Sequence, residues 1–195
     1  MPPEPIAVML LVTDAFEKLG VRYVVGGSLA SSMYGVVRAT VDVDLLADLS
    51  LAQVDPLVQT LHGEFYLDVN SIREAIQRKT SFNLIHLKTM FKVDVFIRKP
   101  RTFDQAQLDR RVKQIVSTDP ERQAYVATAE DNILAKLDWY RLGGETSERQ
   151  WRDIIGILRF EKERLDLSYL RQSAASLYVI DLLQRALSEA GLAYK

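Results

Sequence analysis

Apolar residues along the chain recur with two different periods, and the change from one to the other divides the sequence. Leu10, Leu11, Phe16 and Leu19 recur at helical spacing and predict a helix over 5–19, stopped by Gly20. Val21 to Val25 is a short β-branched run that enters Gly26-Gly27-Ser28 directly and predicts a strand. SLASSMYGV then reads as a short helix with Ser28 as its N-cap. Residues 41–47 predict a strand, and within it 41–45 alternate apolar and acidic positions, the mark of a strand buried on one side. Asp55-Pro56 has the chemistry of an N-cap and first helical position for a helix reaching about His62. A strand at 63–69, a polar helix at 70–78 and two strands at 82–89 and 90–98, joined tightly around Lys88 to Met90, come next. DQAQLDRR predicts a short helix, and RVKQIV and AYVAT are weaker strand segments.

From residue 128 the helical period takes over. Thr128 with Asp131 resembles a capping box, followed by a stripe of Ile133, Leu134, Leu137 and Tyr140. Gly143-Gly144 ends that helix, and Ser147 with Gln150 opens another carrying Trp151, Ile154, Ile155 and Leu158. The remainder reads as helical to Gly191. The expected organisation is an α+β core over 1–127 and a C-terminal helical region over 128–195, packed on or beside that core, with no linker or repeat between them.

Composition narrows the chemistry. Apolar residues are 48% and charged residues 26% of the 195, which suits a globular chain with a sizeable core. The net charge of −1 demands no nucleic-acid partner, although 25 Lys and Arg leave room for a local basic patch, and RKPRTF at 98–103 is mildly basic. The absence of cysteine excludes disulfides, thiolate metal sites and cysteine nucleophiles, and two histidines argue against zinc. The opening MPPEPIAVMLLV has no basic segment and only a seven-residue apolar run at 6–12, so it reads as the start of a helix rather than a signal peptide. No apolar run approaches the roughly 20 residues of a membrane span, so the expected location is cytoplasmic, with no membrane partner.

Two aspartates in the strand at 41–47 call for a physical reason. Residues i and i+2 of a strand point to one side, so Asp42 and Asp44 aim together while Val41, Val43 and Leu45 enter the core. Like charges this close repel, and a dication between them removes the cost. Magnesium, or manganese in its place, takes carboxylate, phosphate and water oxygens. FKVDVFI supplies a third carboxylate, Asp94, again inside a β-branched run. Three strand carboxylates can hold two metal ions for in-line attack at phosphorus. Upstream, Gly26 and Gly27 join a strand to a helix. There backbone N–H groups and the helix dipole favour phosphate, and the Ser28 hydroxyl adds a donor.

Gly27-Ser28, thirteen intervening residues, Asp42-Val43-Asp44 and a later strand Asp94 resemble the signature of the polymerase-β-like nucleotidyltransferase superfamily. Arg38-Ala39-Thr40-Val41-Asp42-Val43-Asp44 is similar to the version found in small bacterial members, among them nucleotidyltransferase toxins of the abortive-infection type. AEDNILAKLDWYR and RQWRDIIGIL are similar to a lysine-bearing helix and an Arg-x-x-Asp helix of those proteins. The resemblance implies a mixed sheet flanked by helices and a helical tail. It also implies magnesium held by Asp42, Asp44 and Asp94. The nucleotide phosphates would be held by Gly26, Gly27, Ser28, Arg38 and Lys136, with Thr40 and Asp153 in support.

Plainer readings stand beside these. Asp42 and Asp44 suit a solvated edge strand, and Asp94 suits a salt bridge with Lys92 on its own face. Arg38 can pair with an aspartate or bind phosphate, and Thr40 can be a strand former or a contact. Lys136 suits a snorkelling lysine, Asp153 a solvated partner of Arg149 or Arg152, and His62 and His86 surface or packed positions. Trp139 and Trp151 are expected in the core.

The leading expectation is an enzyme. It moves a nucleoside monophosphate from a nucleoside triphosphate to an acceptor hydroxyl on an RNA end, a protein or a small molecule. An inactive, antitoxin-like binding module of the same fold is the alternative, and a metal-dependent phosphoesterase a third.

Overall fold

The computed structural model describes residues 4–37, 39–40 and 42–192. In chain order the elements are α1 (Glu4–Lys18), β1 (Tyr23–Val25), α2 (Gly27–Met33), β2 (Asp42–Ala47), α3 (Val54–Leu61), β3 (Phe65–Tyr66), α4 (Val69–Arg78), β4 (Ser81–His86) and β5 (Lys92–Ile97). Then come α5 (Thr102–Arg110), β6 (Val112–Thr118), β7 (Glu121–Val126), α6 (Ala129–Leu142), α7 (Glu148–Glu161), α8 (Leu167–Ser176) and α9 (Ile180–Glu189). The described residues divide into two compact units, one within Met1–Gly26 and Ala39–Val126, the other within Gly27–Arg38 and Ala127–Lys195.

The first unit holds a seven-stranded mixed sheet in the order β3-β4-β5-β2-β1-β7-β6. β2 and β5 are parallel, as are β1 and β7, and the other neighbours are antiparallel. Burial alternates along β2 and β5: Val43, Leu45, Ala47, Val93, Val95 and Ile97 are buried, and the residues between them are not. Phe82 and Leu84 continue the buried face on β4. Helices α1, α3 and α4 pack in succession, α1 against β2 and α4 against β4. They bring Val8, Met9, Val12, Phe16, Leu57 and Ile72 into the same core. Each such side chain stabilises by about 1.5–3 kcal/mol on burial. Leu11, expected on the inner side of α1, is instead exposed, because the buried stripe runs through Val8, Val12 and Ala15. Asp55 is not the cap of α3. Ser50 and Gln53 bond to each other around a 3-10 turn at Leu51–Gln53, so the helix begins one residue before Asp55.

The second unit is helical. Thr128 Oγ1 accepts from the Asp131 N–H at 3.2 Å and Ser147 Oγ from the Gln150 N–H at 3.3 Å, so α6 and α7 start where the sequence places their caps. α2 packs against α6 and α7. Two glycines allow that approach. A Cβ on Gly156 of α7 would meet Val36 Cγ2 at 2.6 Å, and one on Gly35, at φ +82°, would meet the Phe160 ring at 2.4 Å. The tail is two helices rather than one. Tyr178 takes φ +57° after α8, and the Tyr178 and Val179 N–H groups bond back to the Ala175 and Ala174 carbonyls. This closes α8 with a Schellman pattern and buries Val179. Trp151 is buried as expected, but Trp139 is 47% exposed and does not belong to the core. Ser28 lies inside the first turn of α2 and not ahead of it, so it is not the helix cap.

Candidate active site

β2 and β5 run parallel with Asp42 opposite Lys92 and Asp44 opposite Asp94. Residues paired in register point to the same side of a sheet. Asp42, Asp44 and Asp94 therefore share the half-exposed face, while Val43, Leu45, Val93 and Val95 fill the core behind it. On the other side of β5, Asn83 of β4 is the register partner of Asp94. Three strands thus deliver their polar positions to one strip of surface, because each alternates with an apolar core position.

The hydrogen bonds of this strip are specific. Lys92 Nζ lies 2.7 Å from Asp94 Oδ2, and Asn83 Nδ2 donates to Asp94 Oδ1 at 3.1 Å. The Thr40 hydroxyl donates to the Asp42 carbonyl at 2.8 Å and lies 3.4 Å from Asp42 Oδ1. Thr40 is thus a contact of Asp42 and not a strand residue. The Gly26 N–H donates to the Asp44 carbonyl at 2.9 Å, so the β1–β2 ladder runs one residue past Val25 to the first glycine of the turn. Gly27 takes φ +59°, where a side chain is costly. The Lys92 ammonium is held protonated above the usual lysine range, first by its hydrogen bond with Asp94, then by the charges of Asp94, Asp42 and Asp44, against the opposing effect of desolvation.

Carboxylate oxygens are the kind of ligand that a hard dication such as magnesium or manganese takes. The side chains as they stand do not form a coordination shell: among the described residues no three His, Cys, Asp or Glu side chains are placed to hold a metal ion. Lys92 and Asn83 between them engage both oxygens of Asp94.

Two other residues singled out by sequence, Lys136 and Asp153, belong to the helical unit. Arg38 is outside the described residues, as is Val41. Lys136 of α6 and Asp153 of α7 are brought to each other: Nζ donates to Oδ2 at 2.9 Å, and both side chains are buried. Asp153 is therefore not a solvated partner of Arg149 or Arg152, and Lys136 does not snorkel to water. Near them the helical unit keeps more polar groups inside. Asn132 donates to Ser31 Oγ at 3.1 Å, and the Tyr169 hydroxyl to Asp131 Oδ1 at 2.6 Å. His86 is buried against Thr89 and the Phe65 ring, a packed position. Asn83 was not singled out by the sequence. Its signal was the alternation in SFNLIH, where it is the polar position between Phe82 and Leu84.

No protein-family model matches the sequence, and no curated protein matches it. Solved structures do. An antigenic nucleotidyltransferase-like protein from Paracoccidioides brasiliensis superposes with a TM-score of 0.57 at 17% identity, over 97% of this chain and 93% of that one. The antibiotic-resistance factor ANT(2'')-Ia superposes with a TM-score of 0.55 at 12% identity, over 97% of this chain and 96% of that one. At such identities the likeness speaks for backbone architecture, and the chain has an α+β fold of the kind seen in nucleotidyltransferase-like proteins, with a mixed seven-stranded sheet.

Proposed function

We propose that this chain is a magnesium-dependent nucleotidyltransferase, moving a nucleoside monophosphate from a nucleoside triphosphate to an acceptor hydroxyl. The observation that carries this reading is the register of β2 against β5, which sets Asp44 opposite Asp94 with Asp42 on the same half-exposed face. The nucleotidyltransferase-like fold supports it. Bound magnesium would neutralise the triphosphate and activate the attacking oxygen. Asp42 and Asp44 would hold the cation on a rigid strand, braced by Thr40 at the Asp42 carbonyl and by Gly26 at the Asp44 carbonyl. Asp94 completes the carboxylate set and takes the proton of the acceptor hydroxyl as it attacks the α-phosphorus and pyrophosphate leaves. For Gly27 and Ser28 the resemblance of their motif implies phosphate binding.

A second reading has its own observation. The Lys92 ion pair already satisfies Asp94, which suits a binding module that has lost turnover. The two separate in one assay. Purified protein is incubated with each α-phosphate-labelled triphosphate, magnesium and, in turn, total RNA, lysate protein and a small-molecule extract. Transfer of label to one acceptor class, falling at least about a thousandfold in Asp42→Ala with Asp44→Ala, supports the transferase. Labelled RNA also supports the toxin-type member of the resemblance. Nucleotide or partner binding with no acceptor labelled overturns it in favour of the module, and labelled nucleoside monophosphate released to water points to the phosphoesterase.

A further inference from the structure

Asp42, Asp44 and Asp94 put three negative charges on one strip of two adjacent strands, and the same two strands carry the Lys92 ammonium. Lys92 is the register partner of Asp42 and lies two residues before Asp94, so period-2 geometry aims it with the three carboxylates. Its ammonium is 2.7 Å from Asp94 Oδ2, while Asn83 takes Oδ1 at 3.1 Å. Both oxygens of Asp94 are thereby engaged, but each keeps a second lone pair, so what opposes a metal there is the charge of the ammonium and not the occupied oxygen. The amide of Asn83 is neutral. Lys92 is the group in charge competition with a dication, and its flexible four-carbon stem lets the ammonium swing into water without moving the strand.

The geometry points to Lys92 as the resident counter-cation of the carboxylate strip, displaced from Asp94 Oδ2 when a divalent metal enters. This rests on the metal-dependent reading above and deepens it. Lys92 balances the carboxylates while the metal is away, holds Asp94 in its rotamer, and sets a threshold for metal entry. A strip without that cation binds metal more tightly, because no ammonium has to leave and none repels the incoming charge.

The test reads metal binding rather than turnover. Free Mn2+ is followed by electron paramagnetic resonance during titration of the wild type, Lys92→Met, Lys92→Arg and Asp42→Ala with Asp44→Ala. The expected result is Mn2+ binding about tenfold tighter in Lys92→Met, within about twofold of wild type in Lys92→Arg, and lost in the double aspartate variant. Equal or weaker binding in Lys92→Met, with the wild type still binding, overturns the displacement and leaves the metal-dependent reading intact. Absence of binding in every protein overturns both. A second measurement needs only the wild type: the Lys92 ε-methylene NMR signal, assigned by its loss in Lys92→Arg, is followed through Mg2+ addition. It shifts on saturation if the ammonium leaves Asp94, and an unmoved signal at saturating Mg2+ overturns the inference.

Discussion

Two lysine–aspartate pairs in this chain have nearly the same length and opposite surroundings. On the sheet, Lys92 meets Asp94 at 2.7 Å with side chains 42% and 16% exposed. In the helical unit, Lys136 meets Asp153 at 2.9 Å with side chains 8% and 3% exposed. The Coulomb attraction across either gap is similar, but water decides what it is worth. At the sheet surface solvent screens the attraction and the partners can exchange, so the pair contributes about 1 kcal/mol or less. Among the helices each charge has given up its hydration, and removing Asp153 leaves the Lys136 ammonium stranded. The comparison teaches that an ion pair is exchangeable where a strand alternates core with solvent, and fixed where two helices close over it.

The largest expected effect tests the buried half. Asp153→Ala is expected to destabilise the protein by about 3–5 kcal/mol, read by urea unfolding, because it leaves the Lys136 ammonium buried without its carboxylate. Lys136→Met added to Asp153→Ala is expected to recover part of that loss, because it removes the stranded ammonium. Asp94→Ala on the sheet is expected to cost less than about 1 kcal/mol. Similar costs at both sites would break the comparison.

A smaller effect sharpens it by asking how tightly the helical unit is closed. Gly156→Ala puts a Cβ 2.6 Å from Val36 Cγ2. Overpacking against this branched side chain is expected to cost about 2 kcal/mol net, despite the better helix propensity of alanine. Val36→Ala added to it is expected to restore wild-type stability in the same unfolding experiment. Failure of that rescue would mean the approach of 35–36 to α7 is not set by these two residues.

The smallest effect is a pH dependence of the helical unit. Burial pushes the Tyr34 hydroxyl up to about 12, and the charges of Glu130, Glu161 and Asp131 push in the same direction. The folded state therefore favours the neutral phenol. Its contribution is complete below the unfolded tyrosine value near 10 and is lost as pH rises from there toward about 12. Stability is expected to fall across that window, and Tyr34→Phe, which cannot ionise, is expected to make the fall shallower, the remainder coming from the Tyr23 hydroxyl, which burial also raises.

Much of the architecture was legible residue by residue. Thr128 and Ser147 announced α6 and α7 because a side-chain cap acts on N–H groups three residues away. Asp42, Asp44 and Asp94 could be set on strand faces because their neighbours are alternately Val and Leu. Leu11 and Trp139 are apolar, yet each falls just outside the stripe its helix buries. Ser28 has the chemistry of a cap, yet α2 begins at Gly27, where φ is positive. Tyr178 breaks the tail in a left-handed conformation that no tyrosine advertises, because burying Val179 outweighs the local strain.

The sequence by itself determined the two periods and the local chemistry: which residues alternate, where helices begin, and that three carboxylates ride on strands. These follow from backbone stereochemistry acting over one to four residues. Tertiary structure alone decided that β5 lies beside β2 in the register that pairs Asp44 with Asp94, and that Asn83 and Lys92 divide the oxygens of Asp94 between them. It also decided that residues 27–37 go with α6 and α7, and that Lys136 and Asp153 bury one another. Those outcomes depend on strand order, glycine gaps and excluded water, which bring together residues far apart in the chain.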